Sequence, residues 1–177
     1  MQNLIIGLGG AGNNIVSYLE EKKIDKSNSL LIQTDENSYR DSIIENKILL
    51  DIKKNSNIRE AFNRNIRCIK KHIKSSERVF IVAGLGGLCG SKVLFYLGEN
   101  SLKYNSISHA IVTKPFKFEG ALRSKVANET IEKSKDKFSH YKIFENQSLF
   151  GQAKKDTTFN QAFDMLNESI YEYIKTA

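Results

Sequence analysis

Apolar residues fall into short runs separated by longer amphipathic stretches, and the alternation repeats along the whole chain. Gln2 to Ile6 is a strand-length run that stops at Gly7, and Ile15 to Leu19 resumes with helical spacing. Leu30 to Gln33 reads as a second strand, closed by the turn and cap formers Thr34, Asp35, Glu36 and Asn37. Ile48 to Leu50 reads as a third. Beyond it Ile58, Ala61, Phe62, Ile66, Ile69 and Ile73 recur every three or four residues and describe a long amphipathic helix. Val79 to Val82 then runs into Gly84-Leu-Gly-Gly-Leu-Cys-Gly-Ser-Lys92, followed by the helical pattern of Val93 to Leu97.

In the second half, Ile107 to Val112 is a strand that ends before Pro115, whose ring holds Lys114 extended. Val126, Ala127, Thr130, Ile131 and Phe138 share one face of the next helix, and Tyr141 to Phe144 is a last short strand. Phe159, Ala162, Phe163, Leu166, Ile170 and Ile174 mark a closing helix, with Asp156, Thr157 or Thr158 available as its cap. Strands alternating with helices predict an α/β protein, a three-layer, Rossmann-like parallel sheet with helices on both faces. A chain of 177 residues holds one sizeable core. The expectation is therefore a single domain, 1–177, ending in that last helix (about 157–175).

Composition adds limits. No apolar run approaches the roughly 18 to 20 residues of a membrane span, and the first residues enter a strand directly, so a cytoplasmic protein without membrane contact is expected. Cys68 and Cys89 have neither metal-type nor CxxC spacing, and His72, His109 and His140 lack carboxylate or cysteine neighbours at ligand spacing. The net charge of +7 permits an anionic partner. The lysines, however, are spread along the chain apart from the run Ile69 to Lys74, which favours a solvated face and argues against nucleic acid.

In a doubly wound sheet, ligands bind at the carboxyl ends of the strands. The chemistry-bearing segments fall there: Gly9 to Asn14, Asp35, Gly84 to Ser91, and Lys114 to Arg123. Glycines let a backbone approach phosphate, and a following helix aims free N–H groups and its positive dipole end at the anion. Two such strand–glycine–helix units in one chain point to a nucleotide. Each residue also has a plainer reading. The first glycines could be a tight connection, Glu119 and Arg123 a surface ion pair, and Phe163 a core residue.

The segments Gly7-Leu-Gly-Gly-Ala-Gly-Asn-Asn14, Ala83-Gly-Leu-Gly-Gly87 and Thr113-Lys-Pro-Phe-Lys-Phe-Glu-Gly-Ala-Leu-Arg123, in this order, resemble the nucleotide-binding domain of the FtsZ/tubulin family. The resemblance runs on to Ala162-Phe-Asp-Met-Leu-Asn-Glu168, which looks like the family's central helix. It implies GTP or GDP as ligand, with Mg2+ carried on the phosphates. Residue by residue, it implies that Gly9, Gly10, Ala11, Gly12, Asn13 and Asn14 lie against the nucleotide. Gly86, Gly87, Leu88, Cys89, Gly90 and Ser91 would be the phosphate loop. Glu119 would meet ribose, and Arg123 ribose or phosphate. Phe163 would stack on guanine and Asn167, one turn later, read its edge.

This chain departs from that pattern. Leu88 stands where the family has glycine, Cys89 where it has a hydroxyl, and Lys92 could turn toward the phosphates or away. Between Asp35 and Asn57 there is no glycine where a further loop would sense the terminal phosphate. The chain ends at Ala177, before the family's water-positioning segment, so the resemblance implies a guanine-nucleotide-binding protein with weak or no intrinsic GTPase activity. It also implies a link to a cell-division or cytoskeletal filament, with full-length FtsZ-like subunits or other filament proteins as partners. Two alternatives remain. One is a nucleotide-free relative that binds or caps a filament. The other is an NAD- or FAD-binding Rossmann domain, with Asp35 on the ribose some 20 residues after Gly7-x-Gly-x-x-Gly12.

Overall fold

A computed structural model describes residues 3–24, 27–55, 57–101, 107–148 and 158–177. The elements are β1 (Asn3–Leu8), α1 (Gly9–Glu21), β2 (Ser27–Gln33), α2 (Glu36–Asp41), β3 (Lys47–Leu49) and α3 (Ile58–Lys74). They continue with β4 (Arg78–Gly84), α4 (Leu88–Ser101), β5 (Ile107–Lys114), α5 (Ala121–Ser134), β6 (His140–Glu145) and α6 (Phe159–Thr176). The strands form one parallel sheet in the order β3-β2-β1-β4-β5-β6. Successive strand residues point to opposite faces, so a strand buried on both sides must be apolar throughout. In β1, Leu4, Ile6 and Leu8 join Phe62, Ile69, Leu94 and Ala127 of α3, α4 and α5 on one face. Ile5 joins Val16, Leu19, Leu166 and Ile170 of α1 and α6 on the other. The three-layer α/β architecture anticipated from the pattern is thus the observed one.

Several local expectations are revised. β1 continues through Leu8 and α1 begins at once at Gly9, so the first glycines form the opening turn of a helix and not a separate loop. α4 likewise starts at Leu88, inside the segment read as phosphate loop. Glu36 to Asp41 is a short helix, because the Asp35 carboxylate accepts from Ser38 N at 2.8 Å and caps it. Phe138 lies beyond the end of α5, yet is buried. Thr158 is the cap of α6: its hydroxyl accepts from Gln161 N at 3.3 Å, and Gln161 Oε1 accepts from Thr158 N at 2.8 Å. The other cap candidates, Asp156 and Thr157, lie outside the described residues, as do Gln2 and the side chain of Phe159.

One buried polar group falls far from the glycine loops. His109 on β5 is buried, with its ring 4.7 Å from Phe80 and 4.4 Å from His140 by centroid, and its Nδ1 lies 3.4 Å from the Tyr173 hydroxyl. Burial pushes its pKa down from 6.5 to about 4, and the charges of His140 and Arg78 add to the effect. The unfolded chain therefore binds a proton, between these two values, that the folded one does not. The stability that His109 contributes is present above pH 6.5 and is lost as pH falls toward 4. Urea midpoints are expected to drop between about pH 7 and about pH 4.5, and His109→Phe should flatten part of that drop. An unchanged slope in the variant would show that other groups carry it.

Candidate functional site

An open cleft of about 750 Å³ crosses the carboxyl ends of β1, β2, β4 and β5. Parallel pairing sets Leu8 beside Ala83, so α1 and α4 leave the sheet at the same level and start side by side. α2, α3 and α6 each have a side-chain cap, from Asp35, Asn57 and Thr158, but α1 is entered from Leu8, which carries no acceptor. Its first amides face a cleft that Gly9, Gly10 and Ala11 line. Gly12 is turned into the sheet instead: a Cβ there would lie 2.8 Å from the Gly7 carbonyl carbon and the Val82 carbonyl oxygen, so only glycine lets α1 sit this close to β1 and β4.

The second loop is narrower than its glycine count suggests. Gly86 has φ +95°, and a Cβ on it would meet the Arg123 carbonyl oxygen at 2.9 Å. Ser91 Oγ accepts from Gly86 N at 3.0 Å, and Ser91 is buried. Its hydroxyl braces the loop from behind. Cys89 turns inward, its thiol donating to the Ile32 carbonyl of β2 at 3.4 Å. Burial raises that thiol to about 12. Gly87, Leu88, Cys89 and Gly90 line the cleft, and Leu88 is 52% exposed there. Lys92 points elsewhere, into a recess with Arg59, Phe95 and Tyr96.

Glu119 and Arg123 form an ion pair and line the cleft together. Arg123 donates to Glu119 Oε2 at 2.7 Å, while Glu119 Oε1 accepts from Phe116 N at 2.8 Å. At the far end Ala162, Leu166, Ile170 and Ile174 of α6 are buried, but Phe163 turns out at 40% exposure with its edge on Phe116, 5.8 Å away. Phe116 in turn stacks on the exposed Phe118 at 5.0 Å. Asn167 is buried and lines an adjoining recess of about 240 Å³ together with Asn14 and Phe163. Asn13 does not line the cleft: its Oδ1 accepts from the Ser42 hydroxyl at 2.6 Å.

Gln33 and Asn146 line the cleft and were not singled out in the sequence. Gln33 is 2% exposed; its Oε1 accepts from Thr34 N at 2.9 Å and Asp35 N at 3.3 Å, which leaves Nε2 buried without a partner. Asn146 lines both the cleft and the recess, and its buried Oδ1 also lacks a partner. Each is a polar residue at or just past the carboxyl end of a strand, the signal that could have found them. Buried unpartnered polar atoms are uncommon and call for an explanation such as a ligand. Asp35, committed to capping α2, does not line the cleft, and a hydrogen bond from Ser38 N lowers its pKa. Among the described residues, no three His, Cys, Asp or Glu come together in a metal-type cluster.

Sheet order and cleft position place the molecule among doubly wound α/β proteins whose ligand site lies where the strand order reverses, here between β1 and β4. Residues 2–154 match the Tubulin/FtsZ family, GTPase domain, and the chain belongs to that family. It is 27% identical over 97% of its length to cell division protein FtsZ of Rickettsia felis, covering 40% of that protein. It is 29% identical over 97% of its length to FtsZ 1 of Methanocaldococcus jannaschii, covering 49%. The chain thus spans less than half of these curated relatives. The solved FtsZ dimer of M. jannaschii superposes with a TM-score of 0.85 at 30% identity, over 98% of this chain and 53% of that one. CetZ from Methanosaeta thermophila, at TM-score 0.76 and 18% identity over 99% of this chain and 53% of its own, shares the fold.

The buried thiol gives a direct check of this geometry. N-ethylmaleimide near neutral pH should label native protein once, at the exposed Cys68, and label Cys89 only after denaturation. Rapid labelling of Cys89 in the native state would mean that the thiol faces the cleft.

Proposed function

We propose that this chain binds a guanine nucleotide in the 750 Å³ cleft and serves a cell-division or cytoskeletal filament. The observation that carries the reading is the pairing of two uncommitted features in one cleft. One end has the uncapped start of α1 beside the start of α4; the other has a half-exposed aromatic ring, Phe163, with a buried unpartnered acceptor, Asn146 Oδ1. The first suits phosphate, which helix amides bind without side-chain charge. The second suits a purine with N–H groups on its edge, which guanine has. Glycines at 10 and 87, where a Cβ would meet nothing within 4 Å, leave room for the phosphates to approach.

In this reading Gly9 to Ala11 and Gly87 to Gly90 hold the phosphates, and the Glu119–Arg123 pair meets ribose or phosphate. Phe163, Asn146, Asn14 and Asn167 hold the base. Gly12, Asn13, Gly86 and Ser91 shape the loops from behind. Mg2+ rides on the phosphates. The names of the relatives, cell division protein FtsZ among them, support the link to a filament. Hydrolysis by this chain is weak or absent: Glu119 is the one carboxylate lining the cleft among the described residues, and both its oxygens already accept hydrogen bonds. The NAD alternative loses its ribose-binding acid, because Asp35 caps α2 outside the cleft.

Calorimetry with GDP, GTP, ATP and NAD tests the reading. Guanine nucleotides should bind with micromolar or tighter Kd and lead the other two, and Phe163→Ala should weaken them roughly tenfold or more, the loss of one stacked base. NAD binding without a guanine response would reject it, and silence with all four would leave a nucleotide-free relative. Hydrolysis is checked separately by phosphate release. Steady, concentration-dependent turnover by the chain alone would contradict the slow rate.

A further inference from the structure

α3 carries six Lys or Arg against one Glu, a net +5 within a chain of net +7. Arg64, Arg67, Lys71 and Lys74 recur at three- and four-residue spacing and are all exposed, so they form one stripe along its solvent face. Arg59, at the amino end of α3, lies five residues before Arg64 and off that stripe, and it lines a recess of about 320 Å³ between α4 and α5. Lys92, Phe95 and Tyr96 of α4 and Glu129 and Lys133 of α5 complete the part that matters. Among the described residues Lys92 and Lys133 form no ion pair, whereas Arg59 pairs with Glu99 at 3.3 Å.

We propose that this recess docks an acidic peptide segment, which inserts one apolar side chain between α4 and α5 and sets its carboxylates against Lys92 and Lys133. Charge selects the class of partner, and a recess of about 320 Å³ has room for an apolar side chain. Single-stranded nucleic acid would need open aromatic faces for base stacking. Here Arg59 lies over the Tyr96 ring at 4.5 Å and Lys137 over the Phe95 ring at 5.1 Å, so those faces are covered by cations. A membrane surface would need apolar groups to insert, and none of the exposed large apolar residues lies on α3. The recess shares no lining residue with the nucleotide cleft, so this inference stands apart from the nucleotide reading.

Fluorescence anisotropy with a labelled peptide of alternating Asp and Glu around one Phe provides the test. It should bind the full chain at low ionic strength and weaken as salt rises. Replacing its Phe by Ser should cost roughly tenfold, the scale of one buried anchor side chain. Lys92→Glu combined with Lys133→Glu should cost at least about tenfold while leaving the thermal midpoint and GDP calorimetry unchanged. Equal affinity of the double variant, no binding of the acidic peptide, or tighter binding of a uridine-rich RNA or of phosphatidylserine vesicles would each overturn the proposal.

Discussion

Parallel pairing of β1 with β4 is the constraint on which the site depends. It sets Leu8 level with Ala83, so the two strands leave the sheet together and both helices begin within reach of one ligand. Two positive helix ends held side by side repel each other until an anion or water lies between them. The structure holds them there by contacts made behind the cleft. Gly12 lets α1 rest on β1 and β4, the Cys89 thiol binds the Ile32 carbonyl, and Ser91 Oγ receives Gly86 N. The bare Gly12 and the small side chains of Cys89 and Ser91 thus fix the backbone and leave its amides to face outward.

That division of labour makes sense of the unusual residues in the second loop. A thiol at 89 and a hydroxyl at 91 both lie behind the loop, so they help shape it whether or not they could bond to phosphate. Leu88 is different, because it puts an exposed apolar side chain at the cleft itself. Lys92 brings no charge to the cleft, and the arginine that lines it is paired with Glu119. Any phosphate bound here is therefore held chiefly by amides and helix dipoles. The excess positive charge lies elsewhere, on the solvent face of α3.

Electrostatics thus separates two surfaces of one small sheet protein. The carboxyl edge is nearly balanced in charge and rich in glycine and aromatic groups, whereas the α3 side is strongly basic. Far from both, His109 is held neutral in a stack of aromatic rings, which couples the packing of β5, β6 and α6 to pH without touching either surface.

The alternation of strands with helices and the parallel sheet were legible in the sequence alone, whereas the short α2 was not. Runs such as Leu4 to Ile6 and Val79 to Val82 can be satisfied only between two helical layers. The positions of the glycine segments at strand ends were legible for the same reason. Side-chain direction was not. Periodicity made Phe163 as good a core residue as Ala162, and only the fitting of α6 against Phe116 turned it outward. Whether Lys92 faced phosphate depended on the phase of a helix whose start, at Leu88, no cap residue marks in the sequence. Gln33 and Asn146 became visible only when folding buried one atom of each without a partner, because satisfaction of a polar group is a property of its surroundings and not of its residue type.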